Sequence, residues 1–87
     1  MASYELVFRK SVAKDLRVLP KQDVKRIMQR IRALADEPRP AGCEKLSGQQ
    51  RYRVRQGVYR IIYEIEDARL VVLIVKIGHR RDAYRSS

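Results

Sequence analysis

Apolar residues recur at two different periods along this chain, and the change of period divides it into halves. Tyr4, Leu6 and Phe8 alternate over a short β-prone stretch and so share one face of a strand. Val12, Leu16 and Leu19 then come at helical spacing behind Ser11, which offers an N-cap, and a short helix is expected there. Pro20 interrupts it. Val24, Ile27, Ile31 and Leu34 resume the helical period, with Met28 and Ala35 widening the stripe, until Pro38 and Pro40 end a second, longer helix.

The segment from Pro38 to Gly48 has the punctuation of a connection, and after it the period changes to two. Strands are expected near 51–56, 58–66 and 69–77, joined by turns at Gln56-Gly57 and Asp67-Ala68. A turn closing at Gln56-Gly57 sets Arg55 against Val58, Arg53 against Arg60 and Arg51 against Ile62. A turn at Asp67-Ala68 sets Tyr63 against Val72, Ile61 against Ile74 and Arg60 against Val75. One sheet face then collects Val54, Tyr59, Ile61, Tyr63, Ile65, Leu70, Val72 and Ile74, to be buried under the helices. The other mixes Val71, Leu73, Val75 and Ile77 with Arg51, Arg53, Arg55 and Arg60. The expected fold class is α+β: a twisted, mainly antiparallel sheet of about four strands with two N-terminal helices packed on one face. The 87 residues suit one domain spanning 1–87.

Charge changes the picture of the open face. Twenty Lys plus Arg stand against ten Asp plus Glu, a formal net charge of +10. Such a field favours phosphate backbones, anionic membranes or an acidic protein partner. Opposed arginines destabilise a sheet unless an anion is shared between them, so the arginines of the meander point to a polyanion. The exposed helix face carrying Lys21, Lys25, Arg26, Arg30 and Arg32 reads as a solvated surface. Cys43 is the only cysteine and reads as a bystander thiol in a reducing compartment. Met1-Ala2-Ser3-Tyr4-Glu5 has no basic leader ahead of an apolar run, and no stretch has the ~20 apolar residues of a membrane span. A cytoplasmic protein, neither exported nor inserted, is expected.

Candidate chemistry is narrowed by what is missing. No glycine-rich phosphate loop, no metal-spaced His, Cys and Asp set and no nucleophile triad can be read, and no cofactor is expected. Glu64 and Glu66 balance charge, and His79 at the strand exit reads as structural or solvent-facing. Arginine and tyrosine around a concave sheet remain. Guanidinium forks match phosphate oxygens in pairs, and a phenol such as Tyr84 can hydrogen-bond or stack on a base. Cleavage within RNA needs no metal when the substrate's 2′-hydroxyl attacks, because the protein then only orients that group and neutralises the charge growing on phosphorus.

The approach Lys45-Leu46-Ser47-Gly48, the strand Tyr59-Arg60-Ile61-Ile62-Tyr63 and the ending Gly78-His79-Arg80-Arg81-Asp82-Ala83-Tyr84, in this order and spacing, resemble the RelE/ParE superfamily of bacterial toxins from type II toxin–antitoxin pairs. The resemblance spans nearly the whole chain. It implies the RelE-like microbial RNase fold and, for the RelE-like branch, a ribosome-dependent endoribonuclease that cleaves mRNA in the ribosomal A site and inhibits translation. It implies an acidic antitoxin partner as well. Arg60 matches the strand arginine that contacts the scissile phosphate, Arg80 the arginine associated with charge stabilisation or leaving-group protonation, and Tyr84 the tyrosine that orients substrate, at a shorter interval from Arg80 than in the best-known member. Arg53 and Arg55 fall where that member has two lysines, one of them a proposed general base. A guanidinium is a poor base at neutral pH, so either Arg55 acts only electrostatically and water or the ribosome takes the proton, or the enzyme is a slower one, or the chain is not an RNase. The implied catalytic set is Arg55, Arg60, Arg80 and Tyr84, with Arg51, Arg53 and Arg81 as RNA contacts. ParE-like members instead inhibit DNA gyrase without catalysis, and both branches share much of the pattern.

Overall fold

The computed structural model describes residues 3–46 and 50–79. Its elements are β1 (Glu5–Phe8), α1 (Lys10–Arg17), α2 (Lys21–Asp36), β2 (Glu44–Lys45), β3 (Arg51–Gln56), β4 (Tyr59–Glu66), a 3-10 turn (Asp67–Arg69) and β5 (Val71–His79). The five strands form one mixed sheet in the order β1-β5-β4-β3-β2, with β1 parallel to β5 and every other pair antiparallel. The α+β class holds. The expected strand count rises to five because Glu44 and Lys45, in a segment that reads as a connection, pair with Arg53 and Tyr52.

Local starts and stops have identifiable causes. Helix α1 begins without a side-chain cap, and Ser11 lies inside it rather than ahead of it. The Arg9 N–H still donates to the Ile74 carbonyl at 3.1 Å, so a strand hydrogen bond ends β1 and the helix starts directly behind it. Pro20 caps α2, a place where its missing N–H costs nothing. At the far end Glu37 is extended, as the residue before Pro38 must be.

Both helices cover one sheet face. Val12, Ile27, Ile31 and Leu34 pack with Tyr52, Val54, Ile61, Tyr63, Ile65, Val72, Ile74 and Ile77. Tyr63 is fully buried, and its hydroxyl donates to the Pro38 carbonyl at 2.6 Å, which satisfies the one polar atom it brings inside. Burial also pushes its phenol well up from the ordinary value.

Two registers differ from those expected, for physical reasons. The β3–β4 turn is Gly57-Val58, so Gln56 faces Tyr59, Arg55 faces Arg60, Arg53 faces Ile62 and Arg51 faces Glu64. Gly57 has φ +62, whereas Val58 does not enter the positive region. That is the type II′ pattern, with glycine at the first central position. A Gln56-Gly57 turn would put glutamine there.

On the other side of β4, Ile62 pairs with Lys76 and Tyr63 with Ile74, leaving Val75 as an extra residue in β5. This bulge reverses the facing of the residues beyond it. Ile77 joins the core, contrary to its expected place on the open face, and Lys76 comes round to that open face. The β4–β5 turn is also longer than Asp67-Ala68: Leu70 has φ 54 and is exposed instead of buried. Tyr63 therefore faces Ile74, Ile61 faces Ile77 and Arg60 faces Gly78.

A surface network ties the chain's distant turns together. Asp67 accepts from the Tyr4 hydroxyl at 2.8 Å and from both Arg39 terminal nitrogens at 3.2 and 2.9 Å. Arg39 also donates through Nε to the Tyr52 hydroxyl at 3.2 Å and lies over that ring. The Arg39 guanidinium, and after it the Tyr4 hydroxyl, hold the Asp67 carboxyl below its usual range.

Two substitutions probe this packing. Nothing lies within 4 Å of a Cβ built on Gly57, so Gly57→Ala reports backbone strain alone. Urea unfolding should show a loss of about 1–2 kcal/mol. For Asp67, the folded state keeps the carboxylate ionised to lower pH than the unfolded chain does. Its contribution is complete above the unfolded value of ~3.9 and disappears as pH falls through the lower folded value. The Tm difference between wild type and Asp67→Asn should be present at neutral pH and close below about pH 4; a gap that stays constant with pH contradicts the assignment.

Candidate functional site

Because the helices cover only one face, alternation sends Arg51, Arg53 and Arg55 of β3 and Arg60 of β4 to the other. The four arginines are together but not equivalent. Arg51 donates through Nε to Glu64 at 2.8 Å, and Arg53 reaches Glu44 across the β2–β3 ladder at 2.7 Å. Glu64 thus balances charge, as expected, by pairing with Arg51. Arg53 is tethered to a carboxylate, not a solvated edge.

Toward the hairpin two arginines come together. Arg55 is exposed and stands directly opposite Arg60. Arg60 itself is only 4% exposed. Its other cross-strand neighbour is Gly78, which contributes no side chain. Lys76 lies next along β5, opposite Ile62 on the same face. Sequence reasoning missed Lys76, since strict alternation through Val71-Val72-Leu73-Ile74-Val75-Lys76 assigns it to the buried side; only the bulge turns it outward.

The end of β5 is steadied from the helix layer. Asp15 of α1 accepts from the Ile77 N–H at 3.2 Å, beyond the point where β1 stops pairing. The Tyr59 hydroxyl donates to Asp23 of α2 at 2.7 Å, and its ring meets His79 edge-on at 6.0 Å. The Asp23 carboxylate, by accepting that bond, raises the Tyr59 phenol above its ordinary value. These contacts hold the last described residues of β5 against the hairpin. Arg80, Arg81 and Tyr84 lie outside the described residues, as do Ser47 and Gly48.

Clustered guanidiniums and an ammonium on one sheet face can bind and neutralise a phosphodiester, with buried Arg60 as the fixed charge. Among the described residues no group of three or more His, Cys, Asp and Glu side chains is arranged to hold a metal ion, and no helix is long and apolar enough to cross a membrane.

Known proteins carry the same fold and, over most of the chain, related sequence. Toxin RelG of Mycobacterium tuberculosis is 30% identical over 86 residues, covering 94% of this chain and 97% of that toxin. The putative toxin RelE1 of Methanocaldococcus jannaschii is 31% identical over 87 residues, covering 95% and 97%. Among solved structures, the archaeal RelE–RelB complex from Pyrococcus horikoshii OT3 is similar with a TM-score of 0.81 at 33% identity, over 90% of this chain and 96% of that one. Residues 6–84 match the family described as ParE toxin of type II toxin-antitoxin system, parDE. With that match over nearly its full length, the chain belongs to the ParE toxin family, within the RelE/ParE superfamily of type II toxins.

Proposed function

We propose that this toxin is a ribosome-dependent endoribonuclease that cuts mRNA in the A site by attack of the substrate's own 2′-hydroxyl, without a metal ion. The observation that carries the reading is Arg60, an arginine buried to 4% exposure between its cross-strand neighbours Arg55 and Gly78 on the sheet face that the helices do not cover. Burying a guanidinium beside a second one is costly, and such a cost is characteristic of sites that act on an anion.

In the reaction the 2′-oxygen forms a bond to phosphorus and loses its proton to water or a ribosomal group. The bond from phosphorus to the 5′-oxygen breaks, and that oxygen takes up a proton. Arg60 and Arg55 neutralise the charge that grows on the non-bridging oxygens between these events. Lys76 adds a further cation from β5, and Arg51 and Arg53 hold the strand to either side. Arg80 and Tyr84 keep the roles implied by the family resemblance, protonating or stabilising the leaving oxygen and orienting the base, with Arg81 as an RNA contact. Residues 1–87 act as one unit in the cytoplasm, where the ribosome is. The names of the relatives, RelG and RelE1, support the branch. The similar structures that contain a RelB chain, together with the +10 charge, support an acidic antitoxin partner that covers the basic face.

The competing reading, a gyrase inhibitor with no catalysis of its own, draws on the ParE description of the matching family. Inducing the toxin in cells separates the two: the first produces mRNA cleavage, the second loss of supercoiling and DNA-damage signals.

Two measurements test the chemistry. Arg60→Met keeps an apolar stem in the buried position and removes the guanidinium, so folding should survive while ribosome-programmed cleavage falls about 10²–10³-fold. Cleavage equal to wild type would remove Arg60 from the mechanism. Separately, cleavage should persist in chelator at concentrations the ribosome tolerates and should leave a 2′,3′-cyclic phosphate. A substrate with 2′-deoxyribose on the 5′ side of the cut should be inert; its cleavage at the same bond would exclude 2′-hydroxyl attack.

A further inference from the structure

On the helix side of the sheet, at the tip of the β3–β4 hairpin, lies a cleft of about 220 Å³ lined by Asp23, Arg26, Gln56, Gly57, Val58 and Tyr59. It stands back to back with the cationic end of the open face, because Gln56 comes after Arg55 and Tyr59 precedes Arg60 on opposite sides of the same strands. Glycine at position 57 leaves no side chain between the two sides of the tip.

The polar groups in this cleft are held and of mixed kind. The Tyr59 hydroxyl bonds Asp23 Oδ2 at 2.7 Å and the ring is braced by His79, so the carboxylate and the aromatic wall are positioned together. An ionised carboxylate only accepts, and with about four lone-pair sites Asp23 keeps capacity after serving Tyr59. Arg26 only donates, and the Gln56 amide does both. Val58, 46% exposed, supplies an apolar surface at the rim. The volume suits one planar ring system without its sugar.

We infer that this cleft is a base-specific subsite that takes a guanine from the RNA strand held on the arginine face, an inference that rests on the proposed RNA-cleaving function. Guanine alone among the four bases presents two adjacent N–H donors on its Watson–Crick edge, which suit a carboxylate, while its O6 and N7 acceptors suit an arginine. Adenine, cytosine and uracil each turn a lone pair toward the carboxylate. The strand would pass over the glycine tip, its phosphates meeting Arg55 on one side and the exposed Lys25 of α2 on the other.

The test uses the full-length toxin and labelled 2′-O-methyl RNA hexamers, which cannot undergo 2′-hydroxyl attack, with a single guanine or adenine at one position. Fluorescence anisotropy should give a roughly tenfold preference for guanine, the scale of one good bidentate base contact. Asp23→Asn keeps an acceptor for Tyr59 but turns amide donors toward the base, and should abolish the preference; the surface change Arg26→Ala should reduce it. Arg55→Ala should weaken all hexamers alike and leave the ranking intact. Equal affinity for both hexamers, a ranking that survives Asp23→Asn and Arg26→Ala, or a cleft whose variants alter only antitoxin binding would each overturn the subsite. Guanine preference without cleavage on the ribosome would keep the subsite and remove the proposed activity; cleavage without any base preference would do the reverse.

Discussion

Val12 of α1 and Ile27, Ile31 and Leu34 of α2 are buried against Val54, Ile61, Tyr63, Val72, Ile74 and Ile77, and this contact determines where every strand residue points. A sheet covered on one face must alternate, and a slip of one residue would turn the whole apolar set outward. The register is therefore held by the core, and the open face receives whatever lies between the core residues. In this chain those intervening positions include Arg51, Arg53, Arg55 and Arg60, with Glu64 and Lys76 beside them. The cationic face needs no device of its own; it results from the packing of the other side.

Within that face the charges are graded by their neighbours. Glu44 and Glu64 offset Arg53 and Arg51, so the β2 side of the arginine row is close to neutral. Arg55 and Arg60 directly face one another, an arrangement that costs a sheet a few tenths of a kcal/mol up to about 1 kcal/mol. At that hairpin end Asp15, Asp23 and His79 steady the surrounding strands from the helix layer.

Much of this was legible in the alternation itself. The bounds of β3, the extent of α2 and the shared face of the arginines come from periods that only one secondary structure satisfies. The pairing of the strands was not legible in the same way. A glycine one residue into a turn reads equally well as its first or second central position, and the choice moved Arg60 from opposite Arg53 to opposite Arg55. The apolar run from Leu70 to Val75 is hydrophobic on both faces, so its alternation carries no mark of the bulge at Val75, and Lys76 and Ile77 exchanged sides unseen. Strand β2 is held by the Glu44–Arg53 pair and by the Leu46 N–H donating to the Arg51 carbonyl, contacts with no local signature. Nothing within Glu5–Phe8 announces parallel pairing with β5.

The choice of arginine at position 60 has a physical logic distinct from that of its neighbours. An ammonium taken out of water to this degree tends to lose its proton, and the site would then lose its charge on folding. A guanidinium is far harder to deprotonate than an ammonium, which makes arginine the side chain suited to a buried cationic position such as 60. Burial also strengthens its field, since less water screens it than screens exposed Arg55. The same permanence that makes a guanidinium a poor proton acceptor makes it a dependable stabiliser of negative charge. A face built from arginines, with Lys76 as the ammonium that the β5 bulge brings to it, is therefore suited to holding negative charge rather than to removing protons.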